Sequence, residues 1–356
     1  MQTRREFLHQ SFLAGGSIVT ASAALAAAPA VKSGPDVIIY EGDYPGWPWV
    51  SAGADGALCC VWREGTIHGY SANGRVQLSV SRDQGKTWPK PTVIVDAPEV
   101  DDRNVAIVEL PNKELLVTYN TYSAALESLA VSVRSADGGK TWTKPETIDL
   151  PNTRTRAAAV VLASGNLLLP YYIAPGNGAL AAISTDNGRH WKTARVPDTE
   201  GFVGDEWAVL EVAPNRLLGL SRNSHKQTDG RFWKTESRDG GQTWSVPVAT
   251  NVQSKRATSP PHLVSYGKTP VLIYADRRMV SVSAVRSHDP NFIEWDVANR
   301  HPCYLYNADE SPIRDSSYPV GVRVGARRWL IVDYEIRDKS KRITGYFVDL
   351  PAGWKS

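Results

Sequence analysis

Six short polar stretches carry residues of types that can do chemistry, and each stands directly before an apolar hairpin. They are Trp47-Pro48-Trp49, Asp101-Asp102-Arg103-Asn104, Thr153-Arg154-Thr155-Arg156, Asp205-Glu206-Trp207, Arg256-Ala257-Thr258-Ser259 and Asp315-Ser316-Ser317-Tyr318. Arginine recurs among them. A guanidinium fork binds a carboxylate through two parallel N–H bonds, and an aromatic face stacks on a sugar ring. Brought together, these stretches point to an anionic or carboxylated sugar. Taken singly, each arginine reads equally well as a solvated loop cation, so the elements that position them decide.

Those elements are repeats. Hairpins run from Val105 to Tyr119, Ala158 to Tyr172, Trp207 to Leu220, Leu263 to Tyr274 and Val320 to Tyr334, with a sixth from Ala52 to Val61. Each is an apolar alternation, a turn such as Ser164-Gly165-Asn166, and a hydrophobic run. Between them an octad recurs. Ser81-Arg82-Asp83-Gln84-Gly85-Lys86-Thr87-Trp88 returns as Ser135 to Trp142, Ser184 to Trp191 and Ser237 to Trp244, with His190 replacing Thr in the third copy. Successive octad aspartates are 54, 49 and 53 residues apart. One more period reaches Ser287 to Trp295, a decayed fifth copy with an inserted residue. A period of about fifty residues holding four strands reads as a β-propeller blade. The spacing predicts an all-β, six-bladed β-propeller over residues 31–356, with Asp36 to Tyr40 as an outer strand that closes the ring on the last blade. The six polar stretches then converge on one face around the axis. Octad aspartates bond their own turns, glycine supplies positive φ, and tryptophan fills the gap between blades. They are structural.

The 356 residues carry a formal charge of +3, with no long Lys/Arg run, which gives no electrostatic case for nucleic acid. Arg4-Arg5, then Phe7-Leu8 and an apolar run from Phe12 to Ala28, read as a twin-arginine export signal handled by the Tat translocon. The run is short, rich in Gly, Ser and Thr, and lacks stop-transfer charges, which argues against stable membrane insertion. Ala28-Pro29-Ala30 fits a small-x-small cleavage site. The expectation is a mature chain from about Val31, periplasmic or secreted. Cys59, Cys60 and Cys303 cannot all pair internally. Adjacent cysteines on a strand face opposite ways, so one of them can bridge to Cys303 if the first and last blades touch there; three buried thiols is the alternative. No spacing fits a structural metal, no cofactor is indicated, and a closed ring with little exposed edge favours a monomer.

The octads match the Asp box, and from about Trp47 to Glu335 the chain resembles the catalytic domain of the sialidase superfamily. Tyr318-Pro319-Val320-Gly321-Val322-Arg323-Val324-Gly325, followed by Trp329 to Glu335, is similar to the family's nucleophile segment. Glu206-Trp207-Ala208-Val209-Leu210-Glu211-Val212, leading to Leu220-Ser221-Arg222-Asn223, is similar to the segment that carries its glutamate. The resemblance implies that Tyr318 attacks the anomeric carbon and Glu206 takes its proton. It implies that Arg222 and either Arg277 or Arg278 grip a substrate carboxylate, and that Glu335 orients an arginine.

The chain departs from the family at two places. Where the family has an aromatic-Arg-Ile-Pro motif, this chain has Trp47-Pro48-Trp49-Val50. Where the family has an acid/base aspartate after the first hairpin, this chain has none, and His68 lies closest; a histidine can serve near neutral pH. Arg63 stands where it can replace the missing clamp. The expected site is Tyr318, Glu206 and His68 for catalysis, with Arg63, Arg103, Arg156, Arg222, Arg278, Trp49 and Glu335 for binding. The expected activity is hydrolysis of a terminal acidic sugar from a glycan. A lyase, in which His68 or Tyr318 abstracts the proton α to a uronate carboxylate, and a non-catalytic glycan-binding propeller are the alternatives.

Overall fold

The computed structural model describes residues 31–355 apart from 126, 175, 224–229, 255–258, 278–280 and 307–310. The expected export signal at residues 1–30 lies outside the described residues. Six sheets follow one another in chain order, each the blade of a propeller. Blade one is Tyr44–Ala52, Leu58–Gly65, Arg75–Ser81 and Thr92–Val95, from axis to rim. Blade two begins with Arg103–Glu109, blade four with Trp207–Ala213 and blade five with His262–Tyr266. Blades three and six have a broken innermost strand, Thr153–Thr155 with Val160–Val161, and Ile313–Ser316 with Val320–Arg323. Arg156 falls in the first break and Tyr318 in the second.

The ring closes as the sequence predicts. Val37–Glu41 adds antiparallel to Lys341–Asp349 at the outside of blade six, with Val37 opposite Gly345. A second closure was not foreseen: Lys32–Ser33 runs parallel to His301–Leu305 on blade five.

Apolar clusters fill all six gaps between blades, and five of them receive the tryptophan of an Asp box, Trp88, Trp142, Trp191, Trp244 and Trp295. The sixth gap, between blades five and six, takes Trp354 from the turn Ala352–Trp354. This turn follows the third chain-order strand of blade six, where a box would stand. Trp244, Trp295 and Trp354 are buried and each contributes on the order of 3 kcal/mol, while Trp88, Trp142 and Trp191 are partly buried and contribute less.

The boxes bond as local chemistry requires. Thr141 N and Oγ1 donate to Asp137 at 2.9 and 2.5 Å, and Trp142 Nε1 donates to Gly139 O at 3.2 Å. In the third copy His190 Nδ1 replaces the threonine hydroxyl, 2.6 Å from Asp186. The decayed copy keeps its geometry: Trp295 Nε1 donates to Phe292 O at 3.1 Å, and Phe292 takes the positive φ, 57°, that glycine takes elsewhere. Because strands alternate in direction, these turns lie at the end of each blade opposite the polar loops.

Cys59, Cys60 and Cys303 are buried free thiols. Cys303 sits on the outer strand of blade five, and blade six stands between it and blade one, so the first-to-last bridge is not made.

Candidate active site

Tyr318 occupies the break in the innermost strand of blade six. Asp333, fully buried on the neighbouring strand, fixes that break. Its carboxylate accepts from Tyr318 N at 2.7 Å, from Tyr304 Oη at 2.7 Å, from Tyr306 Oη at 2.5 Å, and from Ser317 Oγ. The Tyr318 ring meets Tyr334 edge-on, centroids 5.9 Å apart.

Blade four delivers the partners of the phenol. Its first two strands pair with Trp207 opposite Ser221, so the residues just outside, Glu206 and Arg222, face each other. Arg222 Nη1 donates to Tyr318 Oη at 3.1 Å and forms an ion pair with Glu206 Oε2 at 2.8 Å, while Nε donates to Asp205 at 3.0 Å. The Glu206 carboxylate also hydrogen-bonds the Tyr318 side chain. Burial pushes the Glu206 carboxyl above the usual range; Arg222 pulls it back and Asp205 pushes it up again. Burial likewise raises the Tyr318 phenol, with Arg222 opposing. A buried phenol does not ionise by itself near neutrality, but a carboxylate hydrogen-bonded to it can take its proton during attack.

Two more guanidinium groups cover the ring. Arg156, only 3% exposed, lies with its central carbon 4.9 Å from the Tyr318 centroid and 5.4 Å from that of Trp49. Its Nη2 reaches the carbonyls of Tyr318 and Pro48 at 3.4 and 3.5 Å; Nε and Nη1 have no hydrogen-bond partner. Arg277 lies 5.1 Å over the same ring, and its Nε is also without a hydrogen-bond partner. Arg278 lies outside the described residues. Among the described residues three arginines therefore converge on Tyr318. Two come from the positions the resemblance implied, and the third comes from blade three, not blade one.

Blade one corrects the reading of Arg63. That side chain is 0% exposed, and its fork is filled: Nε and Nη2 donate to the two oxygens of Asp101 at 2.8 Å, and Nη1 donates to Ile67 O at 2.7 Å. Its donors are engaged within the protein, where they brace the loop, and not aimed at Tyr318. Arg103 lies 4.2 Å over Trp47 and donates to His68 O at 3.0 Å, so it too supports this loop. Glu335 forms its ion pairs with Arg337 and Arg342 of its own blade, on the face of the strand opposite Tyr334; it orients arginines, but these stand apart from the three over Tyr318. Trp49 lines a central cavity of about 340 Å³, to which the innermost strands of all six blades contribute.

His68 stands beside residues that the sequence reading did not assign. Its Nδ1 is 2.8 Å from Asp315 Oδ2, and the same oxygen accepts from Tyr44 Oη at 2.6 Å and Tyr334 Oη at 3.1 Å. Asp315 was visible as part of a polar loop, but its partners lie in other blades. Asp205 was visible in the same way. Among the described residues no group of His, Cys, Asp or Glu is arranged to hold a metal ion.

A six-bladed Asp-box propeller with a tyrosine, a glutamate and three arginines gathered at its axis defines a sialidase-like protein. The BNR repeat-like domain model matches residues 56–323, and the chain belongs to that family, within the sialidase superfamily. No curated protein sequence matches it. Among solved structures, a protein of unknown function from Dyadobacter fermentans is similar with a TM-score of 0.77 and 20% identity, over 91% of this chain and 100% of that one. The NanB sialidase of Streptococcus pneumoniae is similar with a TM-score of 0.70 and 12% identity, over 90% and 71%. The intramolecular trans-sialidase of Ruminococcus gnavus is similar with a TM-score of 0.65 and 11% identity, over 92% and 98%. At these identities the likeness concerns the fold.

Proposed function

We propose that this chain is an exported glycoside hydrolase that removes a terminal acidic sugar from a glycan. One observation carries the reading. The Tyr318 hydroxyl is held between Glu206 and Arg222, and two further guanidinium groups with unpartnered N–H donors lie on its ring. A buried cation with empty donors is costly unless an anion fills them. A substrate carboxylate does so and sets the anomeric carbon near the phenol. A neutral nucleophile also avoids repulsion from that carboxylate. Tyr318 Oη then attacks, Glu206 accepts its proton, the aglycone leaves with a proton from an acid, and water hydrolyses the glycosyl-tyrosine.

Turnover of para-nitrophenyl sialoside and para-nitrophenyl glucuronide by the parent tests this. Tyr318→Phe and Glu206→Gln should each lose ~10²–10⁴-fold in kcat with the fold intact. Equal turnover by both variants sinks the assignment. Tight binding of these sugars without turnover moves the protein to the glycan-binding class.

A further inference from the structure

We propose that Asp315 and His68 together form the acid/base of this site, with His68 exchanging the proton through Nε2 and Asp315 fixing its tautomer; this rests on the hydrolase reading above. The loop after the second strand of blade one carries no aspartate between Val61 and Tyr70. In its place His68 projects from blade one, its side chain 61% exposed, and meets the partly buried carboxylate of Asp315 from blade six, 18% exposed.

The hydrogen bonds define which nitrogen carries the proton. Asp315 Oδ2 faces three groups: Tyr44 Oη, Tyr334 Oη and His68 Nδ1. Burial and the Asp315 hydrogen bond both raise the Tyr44 phenol, so it stays a neutral donor, and the same holds for Tyr334 through its burial and the Asp315 charge. An ionised carboxylate only accepts. Asp315 is held below the usual carboxylate range: burial opposes ionisation, but the His68 and Tyr44 hydrogen bonds and the Arg277 charge outweigh it. Neutral His68 must therefore present Nδ1–H to Asp315 and leave Nε2 as the free base. Trp47 holds the ring from the other side, edge-on with centroids 5.2 Å apart. A histidine fixed by a carboxylate is a recurring device for proton transfer.

The pair is joined to the nucleophile through Tyr334, which bonds Asp315 and packs on Tyr318. In the first step imidazolium Nε2–H gives its proton to the departing glycosidic oxygen as the carbon–oxygen bond breaks. In the second the neutral Nε2 takes a proton from water as water attacks the glycosyl-tyrosine. Protons balance over the two steps.

Acid catalysis matters most for a poor leaving group, so the test compares aglycones. Parent, His68→Asn and Asp315→Asn are assayed on para-nitrophenyl sialoside against sialyllactose, and on para-nitrophenyl glucuronide against methyl glucuronide. Both variants should lose ~10²-fold or more on the poor leaving group and under tenfold on the nitrophenyl partner. A parent inactive on all four removes the hydrolase reading and this inference with it. An active parent whose variants lose equally on both aglycones overturns the pair alone. Nitrogen NMR of neutral His68 gives a readout without turnover: protonated Nδ1 in the parent, lost in Asp315→Asn, supports the assignment, and protonated Nε2 in the parent overturns it.

Discussion

Arg63 and Arg156 are both buried arginines beside the propeller axis, one on blade one and one on blade three, and their donors meet opposite fates. Arg63 has a carboxylate across its fork and a loop carbonyl on its remaining arm. Arg156 faces two carbonyls at the edge of hydrogen-bond range and leaves two nitrogens with no hydrogen-bond partner. Residue type and burial are the same. The difference is whether the chain supplies the anion. Where it does, the arginine braces the protein; where it does not, the donors stay open, and the role we propose for them is to meet an anion that arrives from outside.

The largest effect expected from this contrast is on activity. Arg156→Met should lower kcat/KM by ~100-fold or more, the scale of losing a charge-assisted contact to a buried carboxylate. Its unfolding free energy should stay within about 1 kcal/mol of the parent, because no buried carboxylate loses its sole partner. Arg63→Met should do the reverse to the fold. It removes both short bonds of the guanidinium to the fully buried Asp101, leaves that charge only Arg103 at 3.5 Å and the Ser71 N–H at 3.1 Å, and should cost ~3 kcal/mol in urea unfolding. If Arg156→Met unfolds the protein as readily as Arg63→Met, the contrast is wrong and Arg156 is structural.

Glu206 stands between these extremes, paired with Arg222 yet still pushed upward by burial and by Asp205. As base it must be ionised. The acid limb of kcat/KM should therefore lie above the ordinary glutamate range, with activity falling as pH drops through it, and that limb should be absent from the residual activity of Glu206→Gln. A limb at an ordinary carboxylate pH would remove Glu206 as the base.

How much of this was legible in the sequence follows from range. The Asp boxes could be read because Ser, Asp, Gly, Thr and Trp do their work within eight residues. The fifth could be found because Asp289 and Trp295 keep the two bonds that matter, even with Phe292 in the glycine position. Tyr318, Glu206 and Arg222 came through the family resemblance, and strand pairing in blade four explains why the last two meet. The contrast between Arg63 and Arg156 was invisible, since it depends on Asp101, which lies 38 residues from Arg63 in the chain. Asp315 and His68, 247 residues apart, meet only because the ring closes between blades six and one. Trp354 had no box around it to mark it, yet it fills the sixth gap.

Asp102 is the same accounting with the sign reversed, and it gives the smallest effect. One oxygen accepts from Ala97 N at 2.9 Å; the other is buried with no hydrogen-bond partner. Among the described residues no cation pairs with it, and burial first, then Asp101 and Asp96, raise its carboxyl to about 7. The unfolded chain titrates near ~3.9, so the folded state holds the proton more tightly. Stability from this group is full below about pH 4 and is lost as pH rises through about 7. Asp102→Asn keeps an acceptor for Ala97 and removes the charge. It should raise Tm by a few degrees at pH 8, corresponding to at most ~4 kcal/mol, and the gain should vanish at pH 4. A gain that persists unchanged at pH 4 would show that packing, not an unmatched charge, is what the substitution relieves.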